Sequence, residues 1–183
     1  RRNNDELVAT YGNLVNRVLT FTYRNFDQMV PVPGDLDAQS QEMLGRAAST
    51  LEAVEKSLIR CRFRMGMTQA MALAQEANKY LDAKSPWLTL KTDRDSTATA
   101  LWVVLSVIDC LKVVLAPFLP FSSQRLHQML GFEGELGGWS WEGSTDRMRP
   151  GQRLPPPEPL YKKLDESVIE EESQRLTALT VQV

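Results

Sequence analysis

The sequence predicts an all-α protein: a bundle of four to five helices, followed by a C-terminal extension that ends in a short helix. Stretches 4–29, 41–64 and 69–83 each gather their apolar residues on one arc at 100° per residue. Stretch 96–116 is apolar nearly all round, as a helix buried on most sides must be. No window shows a convincing strand alternation or an internal repeat. At 183 residues there is room for one domain with a substantial core. The bundle is assigned to residues 1–131, and 132–183 to a linker and docking helix of the same domain.

The first stretch, Asn4 to Met29, places Leu7, Val8, Tyr11, Val15, Val18, Leu19, Phe21 and Phe26 on one side. A polar stripe of Asn13, Arg17, Thr20 and Arg24, flanked by Asn16, lies opposite. Asn13 and Arg17 are spaced i, i+4, so both side chains can reach one ligand. By itself such a stripe reads as a solvated face. Asn4 is the expected N-cap, with Asp5 and Glu6 suiting the positive end of the helix dipole. Gly12 costs about 1 kcal/mol relative to Ala inside a helix, which predicts that something approaches the backbone there.

Residues 31–35, PVPGD, break the chain, and Asp35 or Ser40 is expected to cap the second helix, Gln41–Arg64. Met43, Leu44, Ala47, Leu51, Val54, Leu58 and Cys61 share its apolar arc. Its end is basic, with Arg60, Arg62 and Arg64, and Gly66 is expected to stop it. Thr68 then caps a third helix, Gln69–Ala83, whose Ala70, Leu73, Ala74, Ala77, Tyr80 and Leu81 line up. Pro86 ends that helix, because the residue before a proline is pushed out of the helical region. Trp87 follows in a short polar loop, Lys84 to Asp95. The fourth helix, Ser96–Ala116, is the expected core, with Asp109 and Lys112 at i, i+3 as a structural pair. After PFLPFSS, Ser122 or Ser123 caps a short helix, Gln124–Leu130, closed by Gly131 and holding a packed His127. From 132 to 159 the composition turns to Gly, Pro, Trp and charge. Trp139 and Trp141 are expected to pin this segment to the bundle, and PPPEP favours an extended path. Asp165–Leu176 is the last, charged helix.

A formal net charge of −2 argues against a general duplex-DNA or membrane-surface binder. Residues 1–132 carry 15 basic and 13 acidic side chains and residues 133–183 carry 6 and 10, so an anionic partner prefers the first part. Cys61 and Cys110 make no disulfide framework in a chain this long, and both are expected as core thiols. With one histidine there is no metal cluster and no nucleophile–base pair in the pattern. Stretch 98–119 is interrupted by Ser106, Asp109 and Lys112, so it reads as a buried helix and not a membrane span. No signal peptide is visible, and a start at Arg1-Arg2-Asn3 without Met reads as cut from something longer. Cytoplasm is the expected compartment.

At GNLVNR (12–17), and then at FRMGMTQAMALAQEANKYLDAKSPW (63–87), the chain resembles the anticodon-binding domain of methionyl-tRNA synthetase. PFLPFSSQRLHQMLG (117–131) and PLYKKLDESVIEEE (159–172) extend the resemblance over nearly the whole chain, with 30–40 and 133–156 least matched. Pro86-Trp87 after that particular helix points to the methionine enzyme among related class I synthetases. The resemblance implies that Asn13, Arg17 and Trp87 read the CAU anticodon loop of tRNA(Met), with Pro86, Lys84, Arg24 and Asn16 supporting. Some members carry a further asparagine one turn earlier; Ala9 stands there, so that contact is absent or supplied otherwise. The family's catalytic half, with its ATP, Mg2+ and zinc, is missing from this sequence, so no catalytic residue and no cofactor is assigned to it. By itself the chain is expected not to aminoacylate.

The residue chemistry agrees. RNA loops are read by splaying out bases, stacking them and pairing their edges. Trp87 offers a stacking face worth about 1–3 kcal/mol per base. Asn13 offers an acceptor and two donors, and Arg17 a planar set of donors. Arg60, Arg62 and Arg64 fit a surface role better than a place on the loop backbone. Two alternatives stay open at this point. One is the same domain from a Val, Ile, Leu or Cys synthetase; the other is a helical protein-interaction module without RNA, in which Asn13, Arg17 and Trp87 would be scattered. Residues 159–176 are acidic yet carry Leu160, Tyr161, Leu164, Val168, Ile169 and Leu176. They are therefore expected to pack on the catalytic half of the same polypeptide rather than on RNA.

Overall fold

A computed structural model describes residues 3–136, 148–163, 167–168 and 174–175, with side chains from Leu7 onward. It is helical, as the periodicity requires. A π-helical segment, Asn3–Gly12, leads into α1 (Asn13–Asn25), followed by α2 (Ala38–Ile59), α3 (Phe63–Lys84), the single turn α4 (Pro86–Thr89), α5 (Arg94–Leu115) and α6 (Pro120–Met129). Every residue of α5 from Val103 to Leu115 is buried, with α2 and α3 packed along it and α1, α4 and α6 around it. By length and composition α5 could cross a membrane, but 94% of its most apolar window is covered by the bundle itself.

The element ends differ from expectation where side chains or backbone supply unforeseen caps. The first helix changes type at Gly12 and stops at Asn25, where Asp27 and Gln28 take left-handed φ values of 51° and 62° and turn the chain. It begins at Asn3, not after an Asn4 cap. Neither Asp35 nor Ser40 caps α2: the Asp37 carboxylate accepts from the Ser40 amide at 2.9 Å, while the Ser40 hydroxyl is buried 2.8 Å from that of Tyr80. Helix α2 stops at Ile59, and Cys61, at φ 54°, reverses the chain without a glycine. That places Cys61 in the open, which corrects the core reading; Cys110 is buried, as expected. Thr68 and Gly66 both lie inside α3. Gly66 ends nothing. A Cβ there would come within 3.3 Å of Phe118 Cζ, so the glycine lets α3 meet the turn after α5. Helix α5 starts at Arg94, two residues before the expected Ser96, and Asp93 caps it by accepting from the Ser96 amide. Helix α6 starts four residues early, at Pro120, with neither Ser122 nor Ser123 capping it. Gly131 does close it, at φ 81°.

The bundle has two distinct ends. At the first, Lys84 pairs with Asp37, Arg94 donates to the Asn25 carbonyl at 2.7 Å, and the Thr89 and Thr97 hydroxyls meet at 2.8 Å. That end holds α4, the end of α1 and the starts of α2 and α5. The other end holds the α2–α3 turn and, packed on Gly66, the turn between α5 and α6.

Asp109 and Lys112 pair as expected, and both side chains are fully buried. Lys112 Nζ also lies 3.3 Å from His127 Nδ1 and 4.1 Å from the centroid of Phe132, on which the His127 ring stacks at 5.0 Å.

After α6 the described chain returns as a strap. The Val30 amide donates to the Gln152 carbonyl, and those of Gly151 and Leu154 donate to the carbonyls of Val30 and Gln28, all at 2.8 Å. The Trp102 indole donates to the Met148 carbonyl at 3.1 Å, and Met148, Leu154 and Leu160 are buried. Tyr161 is the group that approaches Gly12: a Cβ there would stand 3.0 Å from Tyr161 Cδ2. Leu160 and Tyr161 therefore pack on the protein's own bundle, Leu160 buried and Tyr161 partly so. Trp139 and Trp141, and most of the expected helix 165–176, lie outside the described residues.

Candidate nucleic-acid interface

Arg17 lies in the second turn of α1, and Trp87 lies in α4, the one-turn helix that Pro86 begins. Ser85 adopts φ 43°, ψ 56°, a left-handed residue that ends α3 and turns the chain sharply. Pro86 at the first position of the next turn has its fixed φ already suited to a helix. This reversal lifts Trp87 back against α1. The Arg17 guanidinium carbon sits 4.8 Å from the centre of the Trp87 ring. It is held by Asp82, on the last turn of α3, whose carboxylate accepts from Arg17 at 3.0 Å.

Between α1 and α4 lies an open cleft of about 290 Å³. Val18, Phe21, Leu81 and Pro86 form its apolar part, and Arg17, Arg24, Asn25 and Trp87 its rim. Trp87 keeps 41% of its surface exposed, and Leu88 beside it 71%. An aromatic face and two arginines over an apolar floor can hold a planar group by stacking and charge.

Arg17, Arg24, Pro86 and Trp87 are thus brought together, although at least 62 positions separate the two arginines from Pro86 and Trp87 in the sequence. Asn13 is exposed at the start of α1, one turn before Arg17 and outside the cleft lining. Asn16 is half-buried, its Oδ1 accepting from the Thr20 hydroxyl at 3.5 Å. Lys84 is not gathered in: it pairs with Asp37 and lies 5.6 Å from the Tyr80 ring, in a separate polar hollow. That pairing, with the Ser40 amide, holds the Asp37 carboxyl down at about 2. Arg60, Arg62 and Arg64 are at the other end of α3, some 30 Å from Lys84 at 1.5 Å per residue. Asp82 had no signal in the sequence, since nothing in helical spacing joins it to Arg17 across 65 residues.

The chain folds as a helical bundle, and residues 30–180 match the family described as the anticodon binding domain of methionyl tRNA ligase. The chain belongs to that family. It is 44% identical over 202 residues to the methionine–tRNA ligase of Thermomicrobium roseum, covering 97% of this chain and 34% of the relative. With that of Dehalococcoides mccartyi strain CBDB1 it shares 50% over 176 residues, covering 96% of this chain and 32% of the relative. Among solved structures, apo methionyl-tRNA synthetase of Mycobacterium tuberculosis superposes with a TM-score of 0.84 at 26% identity, covering 90% of this chain and 34% of that one. The same protein in complex with methionyl-adenylate gives 0.83 at 26%, covering 88% and 32%. The chain spans about a third of the length of the curated relatives it matches.

Proposed function

We propose that this anticodon-binding domain recognises the CAU anticodon loop of tRNA(Met), with one base stacked on Trp87 and base edges contacted by Arg17 and Asn13. The observation that carries the reading is the Arg17–Trp87 pair, 4.8 Å apart over an open cleft. Trp87 supplies the stacking face and Asp82 keeps the Arg17 fork oriented. Asn13, one turn earlier on the same face of α1, is within reach of a neighbouring base. Arg24 on the cleft rim meets the loop's phosphate or sugar. Specificity from a few bases does not need a strongly basic domain, which agrees with the near-neutral charge. The longer polypeptide attaches methionine to this tRNA in the cytoplasm, a reading supported by the name shared by its relatives. The ATP, Mg2+ and zinc of that chemistry belong to the remaining two thirds.

The test is binding of the full-length protein to anticodon stem-loops carrying CAU and single-base variants at each of the three positions. The expected result is at least tenfold weaker binding for the variants. Equal affinity for CAU and non-CAU loops, or tighter binding of a Val, Ile, Leu or Cys anticodon, would overturn the assignment.

A further inference from the structure

Arg94, the first residue of α5, is held in place by two contacts with the end of α1. Its Nη2 donates to the Asn25 carbonyl at 2.7 Å, and its guanidinium carbon lies 4.6 Å from the centre of the Phe26 ring. Phe26 is buried, while Arg94 stays exposed. Leu101, which lines the Arg17–Trp87 cleft, follows seven residues later on α5. Seven residues are nearly two whole turns, so Arg94 stands on the same helical face about 10 Å nearer the open end. Asn25, whose carbonyl it holds, also lines the cleft. Arg94 therefore sits at the cleft mouth, beside the Arg24–Asn25 edge.

The charges there are unevenly used. Arg17 is paired with Asp82, but neither Arg24 nor Arg94 enters an ion pair among the described residues. Asp27, Asp93 and Asp95 are close in sequence, yet none stands within ion-pair distance of Arg94. Asp93 is spent on the Ser96 amide, and Asp95 lies on the wall of the separate hollow around Lys84. A cap on the Asn25 carbonyl needs one donor and gains only a modest helix-dipole term from a full charge. The remaining donors of the guanidinium have no protein partner among the described residues.

We infer that Arg94 is a phosphate anchor of this site. It holds one backbone phosphate of the RNA loop at the cleft mouth and so sets how the bases enter between Arg17 and Trp87, reading none of them. The inference rests on the proposed binding of an RNA loop in the cleft, but not on its CAU specificity. Phosphate contacts fix register and orientation and carry no sequence information. A guanidinium suits that task because its planar donors match a phosphate two at a time. Stacked on Phe26 and tied to Asn25, the side chain has little freedom left to lose when RNA arrives.

The test is the salt dependence of stem-loop binding by the full-length protein. Arg94→Gln keeps an amide donor for the Asn25 carbonyl and a stem over Phe26, and removes only the charge. It should weaken CAU stem-loop binding about fivefold at 0.1 M salt and lower the slope of log K against log salt by about 0.7. The loss should be the same factor for stem-loops carrying single-base anticodon changes. Arg94→Lys, which keeps the charge, should keep the slope. In stem-loops with one phosphate at a time replaced by methylphosphonate, one loop position should weaken wild type at least threefold and Arg94→Gln hardly at all. An unchanged slope in Arg94→Gln would overturn the inference even if affinity fell, because a purely structural role moves affinity and not the slope. A loss confined to one anticodon base would make Arg94 a base reader and equally reject it. Should Arg94→Gln fail to fold, the scan on wild type decides, and no sensitive loop phosphate there would overturn the anchor. Equal affinity for CAU and non-CAU loops would leave the slope comparison intact, so the two readings fail separately.

Discussion

Removing the Trp87 ring tests the proposed stacking site most directly. Trp87→Ala deletes the stacking face, worth about 1–3 kcal/mol for one base, so affinity for a CAU stem-loop should fall roughly 5- to 150-fold. The folding cost is smaller than for a core residue. Trp87 is 41% exposed, sits on a single helical turn, and its link to Arg17 is a surface cation–π contact worth about 0.5–1 kcal/mol. Lost packing against Pro86 and Leu81 brings the total to about 1–3 kcal/mol, within the range of ordinary substitutions. The core along α5 is untouched, so helix content at 25 °C should stay at the wild-type level. Trp87→Phe, which keeps a smaller face, should recover most of the binding. The assay is fluorescence anisotropy of a labelled stem-loop on the full-length protein, with circular dichroism in parallel. Unchanged affinity in Trp87→Ala would refute the stacking role, and matched loss of helicity and binding would make Trp87 a packing residue.

Lys112→Met strands the fully buried Asp109 carboxylate and should cost about 3–5 kcal/mol in urea unfolding, whereas Asp109→Leu/Lys112→Met should come back to within about 1–2 kcal/mol of wild type; equal losses would contradict the buried-pair account. Asp37→Asn retains an N-cap for α2 but removes the charge facing Lys84. The folded carboxyl lies near 2 against 3.8 unfolded, so its stabilisation is present above 3.8 and lost as pH falls through about 2. Solvent screening of this exposed pair keeps the difference under about 1 kcal/mol at pH 7, and chemical melts of the two proteins should converge below pH 2. Gly131→Ala must hold φ 81° and drive its Cβ into the Arg153 carbonyl, so it should cost at least about 1–2 kcal/mol and release the strap, seen as faster amide exchange at Val30 and Leu154.

The helical class, the burial of α5 and the Asp109–Lys112 pair were legible in the sequence because they depend on local spacing. A period of 3.6 residues and an i, i+3 separation are properties of any helix, whatever surrounds it. The candidate residues Arg17 and Trp87 were legible too, through the resemblance carried by GNLVNR and ANKYLDAKSPW. That the two should converge at one end of the bundle follows from the same reading, but the geometry of their meeting does not. It depends on the left-handed Ser85, a non-glycine residue with no sequence mark, and on Asp82, which reaches Arg17 across 65 positions. The same holds at the other end, where Cys61 makes a left-handed reversal that periodicity reads as continuing helix, so a thiol assigned to the core stands at the surface. Gly12 announced a close approach without naming the partner, and Gly66, which reads as a helix stop, marks a second one; Tyr161 and Phe118 come from 149 and 52 residues further along the chain. Short-range geometry is written in neighbouring residues, while the choice among many long-range contacts is settled only when the whole core has packed.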